Sequence, residues 1–539
     1  MTEYADLCLV NGRVFDGRVR LAMTAVAVRA GRIIAMGDDE RVLALRGPET
    51  RVVDAAGGLI TPGFVDAHAH AAFAGVERLS CDLTSARSVE ETLELIRAAV
   101  ARSEPGEWVT GGGWDHGLFP EPTRQQLDAI SASQPIALSD AGHHTLWVNS
   151  RALQLAGVNR ESPQPANGHI HLDANGDPTG YLNETAAELV GRVIPPADDA
   201  TIRAGLLNAQ QYLWSLGITG WHEAILGEYN GKADCTAAYR AAIADGSVSS
   251  RVSGALWIAP GLTVAEVPAL VARFVALRAE NAAAGFDTNT AKAMIDGVPH
   301  GETAALLQPY CSHAHSGELH FDEAAIFAFV AALDAAGFAL HLHVMGDRGI
   351  RVALDAIEEA RVTNGAGPRH HIAHLSMIHP DDARRFGPLG VAANMQALWA
   401  APDPYVVPMI GEERMLRGYP FRAIADSGAE LAMGSDWPVS PPDPWLAIHV
   451  AVNRALPGAP PEAGVLDPAQ ALTLTEVLAA YTSGSSSLVL GDPGRIRVGA
   501  RADLTVATHD PFEAPSERIA ETATAVTVVA GEVVFEVAK

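Results

Sequence analysis

The sequence predicts an α/β chain: a (β/α)8 TIM-like metallo-barrel with a small β-sandwich domain made from both chain termini. Three observations predict it. Turn-punctuated strand patterns sit at the two ends of the chain, the long middle alternates helical and short apolar strand-like runs, and imidazole and carboxylate side chains recur where those runs end. A repeated β-α unit in a chain of 539 residues points to a barrel, whose chemistry lies at the C-terminal ends of its strands.

Taken in order, residues 5 to about 58 read as strands separated by Asn-Gly, Ala-Gly and Gly-Asp: "ADLCLVNGRVFDG", "AVAVRAGRIIAMGD" and "TRVVDAAGG". This texture predicts antiparallel hairpins. It returns in "GRIRVGARADLTVATHD" and "ATAVTVVAGEVVFE" at the other end. The predicted division is a sandwich of 1–58 plus 487–539 around a barrel of 59–486, with an insertion at about 75–180.

Inside the barrel region, "SVEETLELIRAAVA" places Ser88 three residues before Glu91, a capping-box pattern, and spaces Val89, Leu93, Ile96 and Val100 on one helical face. "FDEAAIFAFVAALDAAG" reads as a helix stopped at Gly337, followed by the strand "FALHLHVMGD", the helix "RGIRVALDAIEEARVTNG" and the strand "HHIAHLS". His343 and His374 are therefore one βαβ unit apart, about 30 residues.

Composition narrows the partners. Hydrophobic residues are 48% and charged residues 19%, which argues for a folded enzyme-sized protein. Sixty-four acidic against 38 basic residues give a net charge of −26, which disfavours nucleic acid and anionic membrane surfaces. Cys8, Cys81, Cys235 and Cys311 form no C-x-x-C pair and suit a reducing compartment. The opening "MTEYADLCLVNG" lacks signal-peptide features, and no apolar run approaches the ~18 residues of a membrane span, so a cytoplasmic location is expected.

The chemistry starts at "TPGFVDAHAH". Residues two apart on a strand point to the same face, so His68 and His70 project together. Further strand ends offer Lys292 in "TAKAMIDG", His343 in "LHLHVMGD", His374 in "HIAHLS" and Asp436 in "LAMGSDWPV". Imidazole nitrogen and carboxylate oxygen are the donors that borderline-soft divalent metals favour. Lys292 is the odd member. Its amine could react with carbon dioxide to give a bridging carbamate, or it could be a buried lysine paired with an acid such as Asp296.

At these residues the chain resembles the amidohydrolase superfamily, specifically the amidohydrolase-3 branch that contains N-substituted formamide deformylases. The stretches that carry the resemblance are "PGFVDAHAH", "KAMIDGVPHGETAALLQPY", "HVMGDRGI", "HIAHLSMIHP", "MGSDWPVSPPDPW" and "GRIRVGARADL", in family order from one end to the other. The resemblance implies that His68, His70 and Asp436 hold a more buried metal, that His343 and His374 hold a second, and that a carboxylated Lys292 bridges them. It implies zinc as the first choice of divalent metal, one or two ions per chain, with carbon dioxide as the source of the carbamate. Hydrolysis of a C–N bond in an amide, N-substituted formamide or cyclic amide by metal-activated hydroxide is the implied reaction, with Asp436 as general base. An esterase, lactonase or aminoacylase-like hydrolase on the same centre is the alternative, and an inactive binding or assembly protein a further one. The implied partner is a small amide-type molecule, and a homo-oligomer is compatible with the family.

Pocket candidates are more scattered. His143 and His144 in "SDAGHHTLWVNSRAL" resemble the family stretch in which a histidine ahead of "WVNS" faces the substrate, and the resemblance implies His144 for that contact. Trp114 follows three glycines in a segment that suits a lid or pocket wall, with a tryptophan packed on a glycine turn the alternative; His222 and Glu223 close the run "SLGITGW" and are expected to face the cavity; and Trp399 and Tyr405 in "QALWAAPDPY" are expected as apolar wall. His341, two before His343, shares that strand face and is expected deeper in the barrel in a packing role, with direct ligation the alternative.

Overall fold

Eight parallel strands run through the middle of the computed structural model, which describes residues 4–143, 145–165, 168–229 and 231–537. We number the barrel strands β1 (Phe64–Ala69), β2 (Ile218–Leu226), β3 (Arg251–Trp257), β4 (Asp287–Met294), β5 (Ala339–Val344), β6 (His371–His374), β7 (Ala392–Met395) and β8 (Leu431–Met433). They pair in chain order, each parallel to the next. Their burial explains their composition: every residue of β1, β2, β6 and β7 is buried, as strands covered on both faces require.

The sheet closes at its ends just beyond β8. Asp436 N–H donates to the His68 carbonyl at 2.7 Å, and His70 N–H donates to the Trp437 carbonyl at 2.8 Å. Gly434 makes this approach feasible. A Cβ there would stand 2.6 Å from the Cβ of His68.

Strands from both termini form two further sheets with one shared apolar core that includes Leu7, Val26, Ile60, Leu504 and Val528. Ala25–Arg29 and Arg32–Gly37 are the expected antiparallel hairpin. Ala5–Val10, however, pairs parallel with Arg46–Asp54, because the short helix Asp39–Leu43 carries the chain across between them. The sequence division also shifts at both borders. Leu59–Pro62 pairs with Leu504–Ala507 rather than opening the barrel, and helix Ser485–Leu490 lays Val489 against Val65, Ala67 and Ala432 of the barrel.

Between β1 and β2 the chain builds a six-stranded sheet, from Cys81–Asp82 to Pro178–Glu184 in sequence. Helix Val89–Arg102 packs on it through Ile96, with Val89, Leu93 and Val100 partly covered. Ser88 caps that helix by accepting from Glu91 N–H, but the Glu91 carboxylate accepts from Arg87 N–H rather than closing the box. The helix Ala71–Leu79 after β1 meets helix Asp199–Ser215 at Gly75 and Gly205, where a Cβ on Gly75 would lie 1.9 Å from the Gly205 carbonyl. Among the described residues, no helix is long and apolar enough to cross a membrane.

Candidate metal centre

Strand alternation puts Asp66, His68 and His70 in a single file at the end of β1, and the closure with β8 brings Asp436 onto that file. His68 Nε2 and His70 Nε2 each lie 3.2 Å from Asp436 Oδ1. The three groups offer ligand atoms within 4.8 Å of one another. His374 Nδ1 stands 4.0 Å from Asp436 Oδ2, and the His343 ring packs on His374 with centroids 4.3 Å apart.

Two of these side chains reach the centre through strained backbone. His374 has φ +76° and Asp436 has φ +59°, left-handed values that only a few per cent of non-glycine residues adopt, aspartate and histidine more readily than most. At His374 the turn has a clear effect. His371 and His374 are three apart and would face opposite sides of a regular strand, yet both are inside the barrel.

The electrostatics follow from burial. Burial lowers the pKa of His68 and of His343 to about 3, with the Lys292 charge adding to the effect, so both imidazoles are neutral near pH 7. Burial also pushes His70 and His374 below the usual histidine range. For Asp436 burial pushes upward, but His68 and His70 beside it outweigh that push and hold the carboxyl well below the usual range. Lys292 is fully buried and lowered to about 7 by burial, against the pull of Asp436.

The residues present fit a divalent metal. Lys292 Nζ and His374 Nδ1 are buried without a hydrogen-bond partner, an arrangement that costs about 1–3 kcal/mol per group unless an occupant engages it. Pairing of Lys292 with Asp296 is not what the structure shows. Asp296 accepts instead from the backbone N–H groups of Ala305, Met345 and Gly346 at 2.8–2.9 Å, tying the loops after β4 and β5 together.

Of the two supporting carboxylates, Glu223 stands where the sequence reading expected it, toward the cavity, and Asp66 is the one that reading left unassigned. Asp66 accepts from His68 N–H and Ser435 N–H at 3.0 Å and from Ser435 Oγ–H at 2.5 Å, clamping β1 to the segment that carries Asp436. Burial raises its pKa to about 6. Glu223 Oε2 accepts from the Tyr239 hydroxyl at 2.5 Å and Ala72 N–H at 3.2 Å, with Oε1 3.8 Å from His70 Nδ1. The signal for Asp66 was in the string: it stands two before His68 and shares its face.

The other expected contacts divide. Trp399 stacks over His374, centroids 5.3 Å apart and planes 10° from parallel. Tyr405 is 79% exposed and forms no pocket wall. Trp114 is 1% exposed, packed inside the insertion with its indole N–H donating to Leu138. Tryptophan after a glycine run is here a core residue, because the glycines form a strand that passes close to Cys81 and Thr84. His222 faces down into the barrel, with Nδ1 2.7 Å from Ser253 Oγ, and Glu223 takes the place near His70. His341 is fully buried deeper in the barrel, with Nε2 3.0 Å from His68 Nδ1. His144 lies outside the described residues.

A family model described as "Amidohydrolase family" (Amidohydro_3) matches residues 51–535. The chain belongs to this amidohydrolase family. YtcJ of Bacillus subtilis (strain 168) is 29% identical over 95% of this chain and 96% of its own length. The N-substituted formamide deformylase of Arthrobacter pascens is 27% identical, with 99% of each chain covered. Among solved structures, an uncharacterized metal-dependent hydrolase from Pyrococcus horikoshii OT3 superposes with a TM-score of 0.72 at 24% identity, covering 95% of this chain and 99% of that one, which establishes the shared fold.

Proposed function

We propose that this amidohydrolase cleaves a C–N bond in a small amide, N-substituted formamide or cyclic amide. The observation that carries the reading is the convergence of His68, His70 and Asp436 on one point, with the unpaired ends of Lys292 and His374 buried beside them. His68, His70 and Asp436 would hold one ion and His343 and His374 a second, with zinc the first choice. When bound, the cation lowers the pKa of a coordinated water toward about 7 and polarises the scissile carbonyl.

The chain's own residues supply the rest. Asp436, whose carboxyl lies well below the usual range and is ionised near neutral pH, accepts the proton of the attacking water and returns it to the leaving nitrogen. Asp66 and Ser435 hold that carboxylate's backbone in place. Lys292, lowered to about 7, is substantially a neutral amine at physiological pH. Its Nζ forms a bond to the carbon of carbon dioxide and releases one proton, giving a carbamate whose negative charge suits a site between two cations.

Trp399 stands over His374, and Met345 and Met377 pack in the apolar cluster beside it. This surface supports an apolar or aromatic substituent on the substrate. The reading is tested by counting metals in protein purified without added metal, then assaying N-substituted formamides, amides and cyclic amides alongside esters and lactones. One to two equivalents and turnover of an amide are expected. Retained metal with turnover of esters alone would replace the C–N reading.

A further inference from the structure

Below the ligands, three more imidazoles meet inside the barrel: His222 from β2, His341 from β5 and His371 from β6. None is more than 1% exposed, and each offers a nitrogen within 4.8 Å of the other two. Ring centroids are 5.4 Å apart for His222 and His341, 4.2 Å for His341 and His371, and 6.1 Å for His222 and His371. His222 Nε2 and His341 Nδ1 have no hydrogen-bond partner. By donor type alone this is a second metal cage.

The hydrogen bonds around it argue otherwise. A neutral imidazole carries one N–H, and the bond made by one nitrogen fixes the role of the other. His68 turns Nε2 toward Asp436 and Nδ1 toward His341 Nε2 at 3.0 Å. If His68 Nε2 is to offer a lone pair to a cation, its proton must sit on Nδ1 and be donated to His341 Nε2. His341 then keeps its own proton on Nδ1, the unpaired atom, which has no lone pair left for a second cation. His371 is fixed independently. The Asn394 amide nitrogen donates to the Ala67 carbonyl at 2.8 Å and to His371 Nδ1 at 3.2 Å, so the His371 proton sits on Nε2. At least two of the three inner rings therefore present N–H to the space between them, whichever way the Ser253 hydroxyl at 2.7 Å from His222 Nδ1 turns.

We propose that His341 is a positioning residue that holds His68 in its metal-binding tautomer, and that His222, His341 and His371 enclose one neutral water rather than a further cation. A water accepts from the two N–H groups and donates to His222 Nε2 when Ser253 receives the His222 Nδ1–H. An oxygen about 2.9 Å from each nitrogen is compatible with the observed spacing. The proposal rests on the reading of His68 as a ligand.

The test is zinc binding to the full-length chain, measured by stoichiometry and by competition with a chromophoric chelator, for wild type and for the His341→Ala, His341→Gln, His222→Ala and His68→Ala variants. His341→Ala is expected to weaken zinc by about 10–100-fold at unchanged stoichiometry, as loss of a ligand's outer partner does. His341→Gln, whose amide oxygen can accept from His68 Nδ1–H, is expected to recover most of that loss. Weakening below tenfold in His341→Ala, no recovery in His341→Gln, or loss of one zinc equivalent in His222→Ala would each overturn the proposal. Undiminished zinc in His68→Ala would instead overturn the ligand reading beneath it. Histidine 15N spectra of the zinc-loaded protein, assigned against His341→Gln, give a readout independent of variant folding. They are expected to show His341 protonated at Nδ1 and bare at Nε2, and the reverse pattern would overturn the proposal.

Discussion

The tripeptide His-Ala-His occurs twice in this chain, at 68–70 and at 313–315, and each copy has a carboxylate beside it. At the first, Asp436 faces two rings that are buried or nearly so, on a strand end fixed by backbone hydrogen bonds on both sides. At the second, His313 and His315 are 68% and 50% exposed at the side chain, on a loop, and both rings already bond Glu302 Oε2, at 2.7 and 3.1 Å. The same residues at the same spacing thus make a preorganised buried centre in one place and a solvated surface cluster in the other. What differs is burial and a rigid strand, which remove competing water and fix the rings before any ion arrives.

Breaking the first copy should have the largest effect. His68→Ala and His70→Ala are each expected to lower metal content and to cut turnover by at least about 100-fold together, read by elemental analysis and kcat/KM. Asp436→Asn keeps the shape but loses the proton acceptor, so a fall in kcat of about 100- to 10,000-fold is expected, with metal partly retained. Full activity in that variant would remove the proton-transfer role.

Lys292→Ala sharpens the comparison by asking whether the buried centre needs an added anion. Reduced metal and partial rescue by short carboxylic acids are expected, whereas no rescue at unchanged occupancy would count against a carbamate. Asp66→Ala leaves the His68 and Ser435 N–H groups buried and unpaired. A loss of roughly 1–3 kcal/mol for each is expected in denaturant unfolding. The smallest effect belongs to the second copy: the double variant His313→Ala, His315→Ala should stay within about 0.5 kcal/mol of wild-type stability and bind the same metal. Loss of an equivalent there would erase the distinction between the two copies.

Much of this was legible from residue order. The barrel showed in alternating patterns, because strands covered on both faces must be continuously apolar and helices must present one apolar stripe. The proposed ligands stood out in the string because each ends an apolar run. What stayed hidden depends on backbone that pattern does not encode. The left-handed turn at His374 breaks the two-residue parity, so His371 could not be read as an inward neighbour of the same cluster. Trp114 and Tyr405 were indistinguishable as aromatic residues in glycine- or proline-rich stretches, yet one joined a core and the other stayed in water. The parallel pairing of Ala5–Val10 with Arg46–Asp54 likewise depended on a five-residue helix whose crossing direction is a tertiary matter.

The closure between β1 and the end of β8 has a mechanical meaning. The barrel is a hoop, and its clasp consists of the backbone bonds of His68, His70, Asp436 and Trp437. Three of those four residues also offer the groups that would grip an ion, so ligation and clasping would be one event. Each tenfold rise in free metal above its dissociation constant should add about 1.4 kcal/mol to the folded state. Stripped of metal, the hoop should loosen first at this clasp, with the amides of His70 and Asp436 exchanging their hydrogens ahead of those on the far wall.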